Sequence, residues 1–149
     1  MKVNLVQLSF LSHETEDVNK ILTALDELLG SYSSLAEKSI TEATGHYGDK
    51  INLVQYQFKG KSSIDLFNII LNKMDKADII LMLSTFENRF ANSKLYLRFD
   101  KQEIIVNKRL ILKDGDDVIK VIVSIKGHPK EIKEELEKLA SSRTLYTNT

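Results

Sequence analysis

The spacing of apolar residues changes repeatedly along the chain, and each change outlines a predicted element. Residues 3–12 alternate, with Val3, Leu5 and Leu11 on one side and Val6, Leu8 and Phe10 on the other, the pattern of a central, well-covered strand. From residue 18 the period lengthens to that of a helix: Val18, Ile21, Leu22, Leu25, Leu28 and Leu29 share a stripe, with Thr15 as the predicted N-cap and Gly30 past the end. Residues 31–39 are polar and serine-rich and read as a connection. A short strand at 40–44 then enters the turn at 45–50, and the return strand at 51–58 is rich in β-branched and aromatic side chains.

Ser62 or Ser63 is expected to cap a helix carrying Ile64, Phe67, Ile70 and Leu71 on one stripe. A second helical pattern over residues 75–90 places Ile79, Leu83, Phe86 and Phe90 together, as a separate helix or one bent near 73–76. Residues 94–100 alternate strictly, with Leu95, Leu97 and Phe99 facing inward and Lys94, Tyr96 and Arg98 outward. Residues 104–106 and 109–113 read as short strands, and 114–117 as a hairpin turn in which Gly115 takes positive φ. The return strand at 118–126 buries Ile119, Val121, Val123 and Ile125. Pro129 suits the first turn of a last helix with Ile132, Leu136 and Leu139 on its apolar face, and 141–149 reads as a frayed tail. Strands grouped between helices predict an α+β fold in one domain over residues 1–140. Its two layers are a mixed or antiparallel sheet and helices packed on one face, so the other face is the expected working surface.

Composition narrows the chemistry. A 149-residue chain with 42% hydrophobic residues suffices for one core that buries roughly 70% of the unfolded surface. The apolar runs are too short to span a membrane, and the amino end lacks a signal-peptide pattern, so a cytoplasmic location is expected. With no cysteine there is no disulfide, thiolate zinc site, iron–sulfur cluster or cysteine nucleophile. The 21 basic and 21 acidic residues cancel, so attraction to nucleic acid must come from a local patch. Residues 1–93 carry 9 basic and 12 acidic groups, 94–113 carry 6 and 2, and 114–149 carry 6 and 7.

That middle stretch holds the first candidate site. Tyr96 lies between Lys94 and Arg98, an aromatic ring among cations, which is how proteins stack a base and neutralise its phosphates. Lys120 and Lys126 project to the same predicted face, with Lys101, Lys108, Arg109 and Lys113 along its rim. A merely solvated sheet face uses the same residue types, and the pattern alone favours that simpler account. The turn Gly45-His46-Tyr47-Gly48 offers an imidazole and a phenol at a hairpin tip, suited either to a ligand or simply to the turn. Asp114, Asp116 and Asp117, joined by Asp100, form a weak candidate for divalent cations and phosphodiester cleavage, since the EF-hand spacing is missing. His13, His46 and His128 show no metal-ligand spacing, and no G-x-S-x-G, Walker A or G-x-G-x-x-G pattern occurs. A binding protein is expected, with no catalytic residues, metal or cofactor.

Three segments carry a family resemblance: Gly45-His46-Tyr47-Gly48 before an apolar strand, the octapeptide at 95–102, and Asp114-Gly115-Asp116-Asp117-Val118-Ile119. Together they resemble the archaeal family described as predicted RNA-binding or predicted exosome-subunit proteins. The resemblance implies a fold like that of the large-subunit ribosomal protein that binds 5S rRNA, and a link to RNA processing or translation, with exosome- or ribosome-associated proteins as partners. Local charge and resemblance together nominate Lys94, Tyr96, Arg98, Lys101 and Arg109, helped by His46 and Tyr47, as RNA-binding residues. The alternatives are a protein-interaction subunit or homodimer that uses the same face or an apolar edge at 104–111, and, remotely, a metal-dependent phosphoesterase at Asp114, Asp116 and Asp117.

Overall fold

The alternating segment at the amino end forms β1 (Lys2–His13), and the sheet is assembled on both of its edges. The computed structural model describes residues 1–147. After β1 come α1 (Val18–Leu29), a 3-10 segment (Gly30–Leu35), and the hairpin of β2 (Glu37–Thr44) and β3 (Lys50–Lys59). Then follow α2 (Lys61–Lys73), α3 (Lys76–Ser84), the single turn α4 (Phe86–Arg89) and β4 (Phe90–Ala91). The chain continues through β5 (Lys94–Asp100), α5 (Lys101–Asn107), β6 (Val118–Lys126) and α6 (Pro129–Thr147). The strands form one sheet in the order β2-β3-β1-β6-β5-β4, every named pairing antiparallel, with the helices packed against it.

Alternation decides which face the helices cover. Val6, Leu8 and Phe10 of β1, Val54, Tyr56 and Phe58 of β3, Leu95, Leu97 and Phe99 of β5, and Val121, Val123 and Ile125 of β6 are all buried. They meet Leu25 and Leu28 of α1, Leu66, Phe67 and Ile70 of α2, Ile104 of α5 and Ile132 and Leu136 of α6 in one continuous core. Each fully buried side chain of this size contributes roughly 1.5–3 kcal/mol. A register shift between Val3 and Leu5 turns Val3 to the buried side, so β1 is not covered on both faces: Leu11 is exposed.

Several local expectations change. Asp17, not Thr15, caps α1, its carboxylate accepting from Asn19 N. Gly60 precedes α2, while the Ser62 and Ser63 hydroxyls donate back to the carbonyls of Lys59 and Gly60; Leu66 joins the buried stripe and Ile64 stays exposed. The extended Met74 separates α2 from the helical pattern over 75–90, and that pattern itself breaks at Thr85. Residues 104–106 are helical, because Asp100 caps α5 by accepting from the N–H groups of Gln102 and Glu103 and the spacing of Lys101 and Ile104 puts both in the core. Within 104–111, Ile104 and Leu110 are buried while Val106 is exposed. Residues 114–117 are not a hairpin turn either. Leu112 bridges to Phe99 on the outer edge of β5, whereas β6 pairs with its inner edge, so this loop crosses the end of β5. Leu139 of α6 is exposed, and its helix runs through the expected tail to Thr147; residues 148–149 lie outside the described residues.

A polar hub ties α1 to the β2–β3 hairpin. Asp26 Oδ1 accepts from the Tyr56 hydroxyl at 2.8 Å and from the Ser33 hydroxyl, and lies 3.5 Å from Lys38 Nζ. Burial pushes the Asp26 carboxyl up, but the hydrogen bonds from Ser33 and Tyr56, with the Lys38 charge, outweigh it and hold the group below its ordinary 3.8. Burial, reinforced by Asp26, drives the Tyr56 phenol well above its ordinary value. Replacing Tyr56 by Phe is expected to destabilise the fold by about 1–2 kcal/mol in urea titrations at pH 7. Since the carboxyl is lowered in the folded state, its stabilisation is complete above pH 3.8 and is lost as pH falls through the lower folded value. Urea midpoints of the parent should therefore decline below about pH 4, and less steeply in the Tyr56→Phe variant.

Candidate functional site

Packing the helices against one face leaves the opposite residues of the strands in transverse rows, bordered at the β5 edge by the α3–α4 turn. One row runs Gln57, Gln7, Ile122, Tyr96; the next Gln55, Ser9, Lys120, Arg98; a third Lys59, Leu5, Ser124, Lys94. β2 extends the first two with Glu37 and Ser39. The uncovered face thus has an uncharged amide and hydroxyl centre with basic residues toward β5 and β6.

Its charge pattern is costly for an isolated sheet. Arg98 sits directly across from Lys120, and Lys2 across from Lys126, and like charges at such positions destabilise strand pairing. Among the described residues no carboxylate forms an ion pair with Lys94, Arg98, Lys120, Lys2 or Lys126; Arg98 reaches only the Gly115 carbonyl, at 3.4 Å. Lys59 is the exception, 3.5 Å from Glu37. Lys2, Lys59, Gln7, Ser9, Gln55 and Gln57 were not singled out from the sequence, because their place on this face follows from strand order and from the β1 register shift.

Lys94, Tyr96 and Arg98 share the open face as the alternation predicts, and Tyr96 is 42% exposed. The rim is a different matter. Lys101 is 2% exposed, its ammonium donating to the Leu11 carbonyl at 2.8 Å and lying 3.1 Å from both Glu16 and Asp117. It cannot reach a phosphate while α5 is in place, because this position opens a helix that packs inward. Arg109 turns to the helix layer, where it pairs with Asp75 at 2.8 Å, and Lys108 turns to Glu27 at 3.5 Å.

His46 and Tyr47 are exposed at the β2–β3 tip, Tyr47 to 94%, with their rings edge to face at 5.3 Å. Gly48 has φ +82°, which the turn itself requires of a glycine, and a side chain at Gly45 would meet the Asp49 carboxylate. Three strand spacings, about 14 Å, separate β3 from β5, so these rings do not join Tyr96 in one pocket. The aspartates do not converge either: Asp100 caps α5, Asp117 holds Lys101, and no group of three or more His, Asp or Glu that could hold a metal occurs among the described residues.

A cleft of about 690 Å³ opens beside Tyr96. Its floor is Tyr96, Ile122, Arg98 and Lys120, and its outer wall is formed by the α3–α4 turn, including Arg89, and by Leu112 and Lys113. Arg89 lay in a helical pattern just before the basic stretch, and the short pairing of Phe90 with Leu95 that follows it turns it back beside β5.

Over residues 5–125 the chain matches a protein family described as RNA binding. The crystal structure of a Sulfolobus solfataricus protein, described as DUF54, is 45% identical with a TM-score of 0.85, covering 94% of this chain and 99% of that one. A second DUF54 structure, from Archaeoglobus fulgidus, is 26% identical with a TM-score of 0.76 over 93% and 99% of the two chains. An uncharacterised protein of Methanocaldococcus jannaschii is 28% identical over 137 residues, 89% of this chain and 91% of its own length. No helix among the described residues is long and apolar enough to cross a membrane.

The role of Lys101 is open to direct measurement. Burial pushes the Asp117 carboxyl up, but the hydrogen bonds from Lys101 and Gln102 and the charges of Lys101 and Lys113 outweigh it and hold it below its ordinary 3.8. Lys101→Met should cost about 2–3 kcal/mol, short of the ~3–5 of a fully buried pair because Glu16 and Asp117 can rehydrate. Chemical denaturation reads the loss directly. A phosphate-contacting lysine would instead leave stability intact when replaced.

Proposed function

We propose, since the chain belongs to the family described as RNA binding, that it is an RNA-binding protein whose contact surface is the uncovered face of the sheet. The observation that carries this reading is the cross-strand pair of Arg98 and Lys120 beside Tyr96. Two adjacent cations without a carboxylate weaken the free protein, and a phosphate between them reverses the sign of that interaction. Tyr96 supplies a face for a base, while Lys94, Lys2 and Lys126 extend the positive border along the backbone of the nucleic acid. Gln7, Gln55 and Gln57, each a donor and an acceptor, suit sugar hydroxyls and base edges. With net charge zero and a patch of this size, modest, salt-sensitive affinity is the consistent expectation.

In this reading the protein acts by binding, as a cytoplasmic accessory in RNA processing or translation, and not by bond chemistry. His46 and Tyr47 form a second contact available only to an RNA long enough to span the sheet. Lys101 and Arg109 belong to the fold.

The test combines stability with affinity. Arg98→Gln and Lys120→Gln should each leave the melting temperature unchanged or raise stability by about 0.2–1 kcal/mol. In fluorescence anisotropy with single-stranded and structured RNAs at three salt concentrations, the same variants should bind more weakly. Their log affinity should also fall less steeply with log salt, by about 0.7–0.9 per phosphate contact removed. A parent that binds no RNA at low salt up to about 100 μM, or variants that bind as the parent does, would sink the reading.

A further inference from the structure

The outer edge of β5 is paired in two places and open between them. β4 covers one end through Phe90 opposite Leu95, and Leu112 bridges Phe99 at the other, where Lys113 N–H donates to the Arg98 carbonyl at 3.0 Å. The cleft of about 690 Å³ lies at this gap, over Tyr96 and Leu97. Arg89, Arg98, Lys113 and Lys120 reach it from α4, β5, the loop across its end and β6, so four separate elements place cations around one ring. Thr85 Oγ1 accepts from Arg89 Nε at 2.7 Å and fixes that side chain. Opposing charge is slight: Lys113 has a 3.8 Å contact with Asp100, and Asp114 stands on the lining.

We propose that this cleft takes one unstacked nucleotide of a single-stranded RNA segment. This rests on the RNA-binding reading and adds its substrate class. The base lies on Tyr96 and Ile122, and Arg98 with Lys120 on one side and Arg89 with Lys113 on the other hold the flanking phosphates. A base inside a duplex has both faces stacked and cannot lie on the Tyr96 ring without leaving its stack, so the site selects unpaired RNA over duplex.

The probes are a five-nucleotide RNA with a central 2-aminopurine, a blunt RNA duplex, and free AMP. The expected result is quenching of the 2-aminopurine on binding, a pentamer affinity at least about tenfold above that for AMP, and weaker binding of the duplex. Tyr96→Leu should abolish the quenching and lower affinity about tenfold, within the range for one stacked base. The double variant Arg89→Gln, Lys113→Gln should lose more affinity for the pentamer than the control Lys2→Gln, Lys126→Gln, which changes two cations on the same face outside the cleft. Absence of binding by either pentamer or duplex overturns the RNA reading itself. Equal binding of pentamer and duplex, unchanged 2-aminopurine emission, or equal losses in the two double variants overturns the cleft alone. AMP binding as tightly as the pentamer replaces the RNA segment with a free nucleotide.

Discussion

Because successive side chains of a strand point to opposite faces, burying Val6, Leu8 and Phe10 of β1 under the helices commits Leu5, Gln7, Ser9 and Leu11 to the other side. β1 is paired along both edges, with β3 and with β6, so its choice of face propagates across the sheet. The register then fixes which residues of β3, β6 and β5 stand beside them. One-sided burial therefore secures the core and also assembles the polar surface, and a slip of one residue in β1 would exchange the two sets.

The same division sorts the charged groups. On the helix side, Asp26 gathers Ser33, Tyr56 and Lys38, and Lys101 gathers Glu16, Asp117 and the Leu11 carbonyl. The buried Tyr56 hydroxyl and Lys101 ammonium thereby find partners at the margin of the core, which buried polar atoms require. On the open side, Arg98 faces Lys120 and Lys2 faces Lys126 without a compensating carboxylate. A chain balanced in net charge thus keeps a local excess of positive charge by placing many of its carboxylates in caps and ion pairs elsewhere.

The edge of β5 adds a second level of organisation. A complete sixth strand would have sealed it; instead β4 is two residues long and Leu112 makes a single bridge. The interval becomes an open-sided cleft whose aromatic ring, Tyr96, belongs to the sheet and whose outer cation, Arg89, belongs to α4. A flat basic surface can attract any polyanion, whereas a cleft adds a requirement of shape.

The sequence determined those features that depend on local period. The alternation of 94–100 set Lys94, Tyr96 and Arg98 outward, the helical spacing of 18–29 set α1, and the apolar returns at 51–58 and 118–126 set β3 and β6. The segments resembling an RNA-binding family lie within the span that matches it. Tertiary structure decided the rest. A three-residue apolar run at 104–106 fits strand or helix equally well until Asp100 caps it and the core accepts Ile104. Whether Lys101 is rim or interior depends on Glu16 and Asp117, which are distant in the chain. The path of 114–117 across the end of β5 and the opposition of Arg98 and Lys120 follow from strand order. That order is set by long-range burial summed over the whole core, which no local pattern encodes.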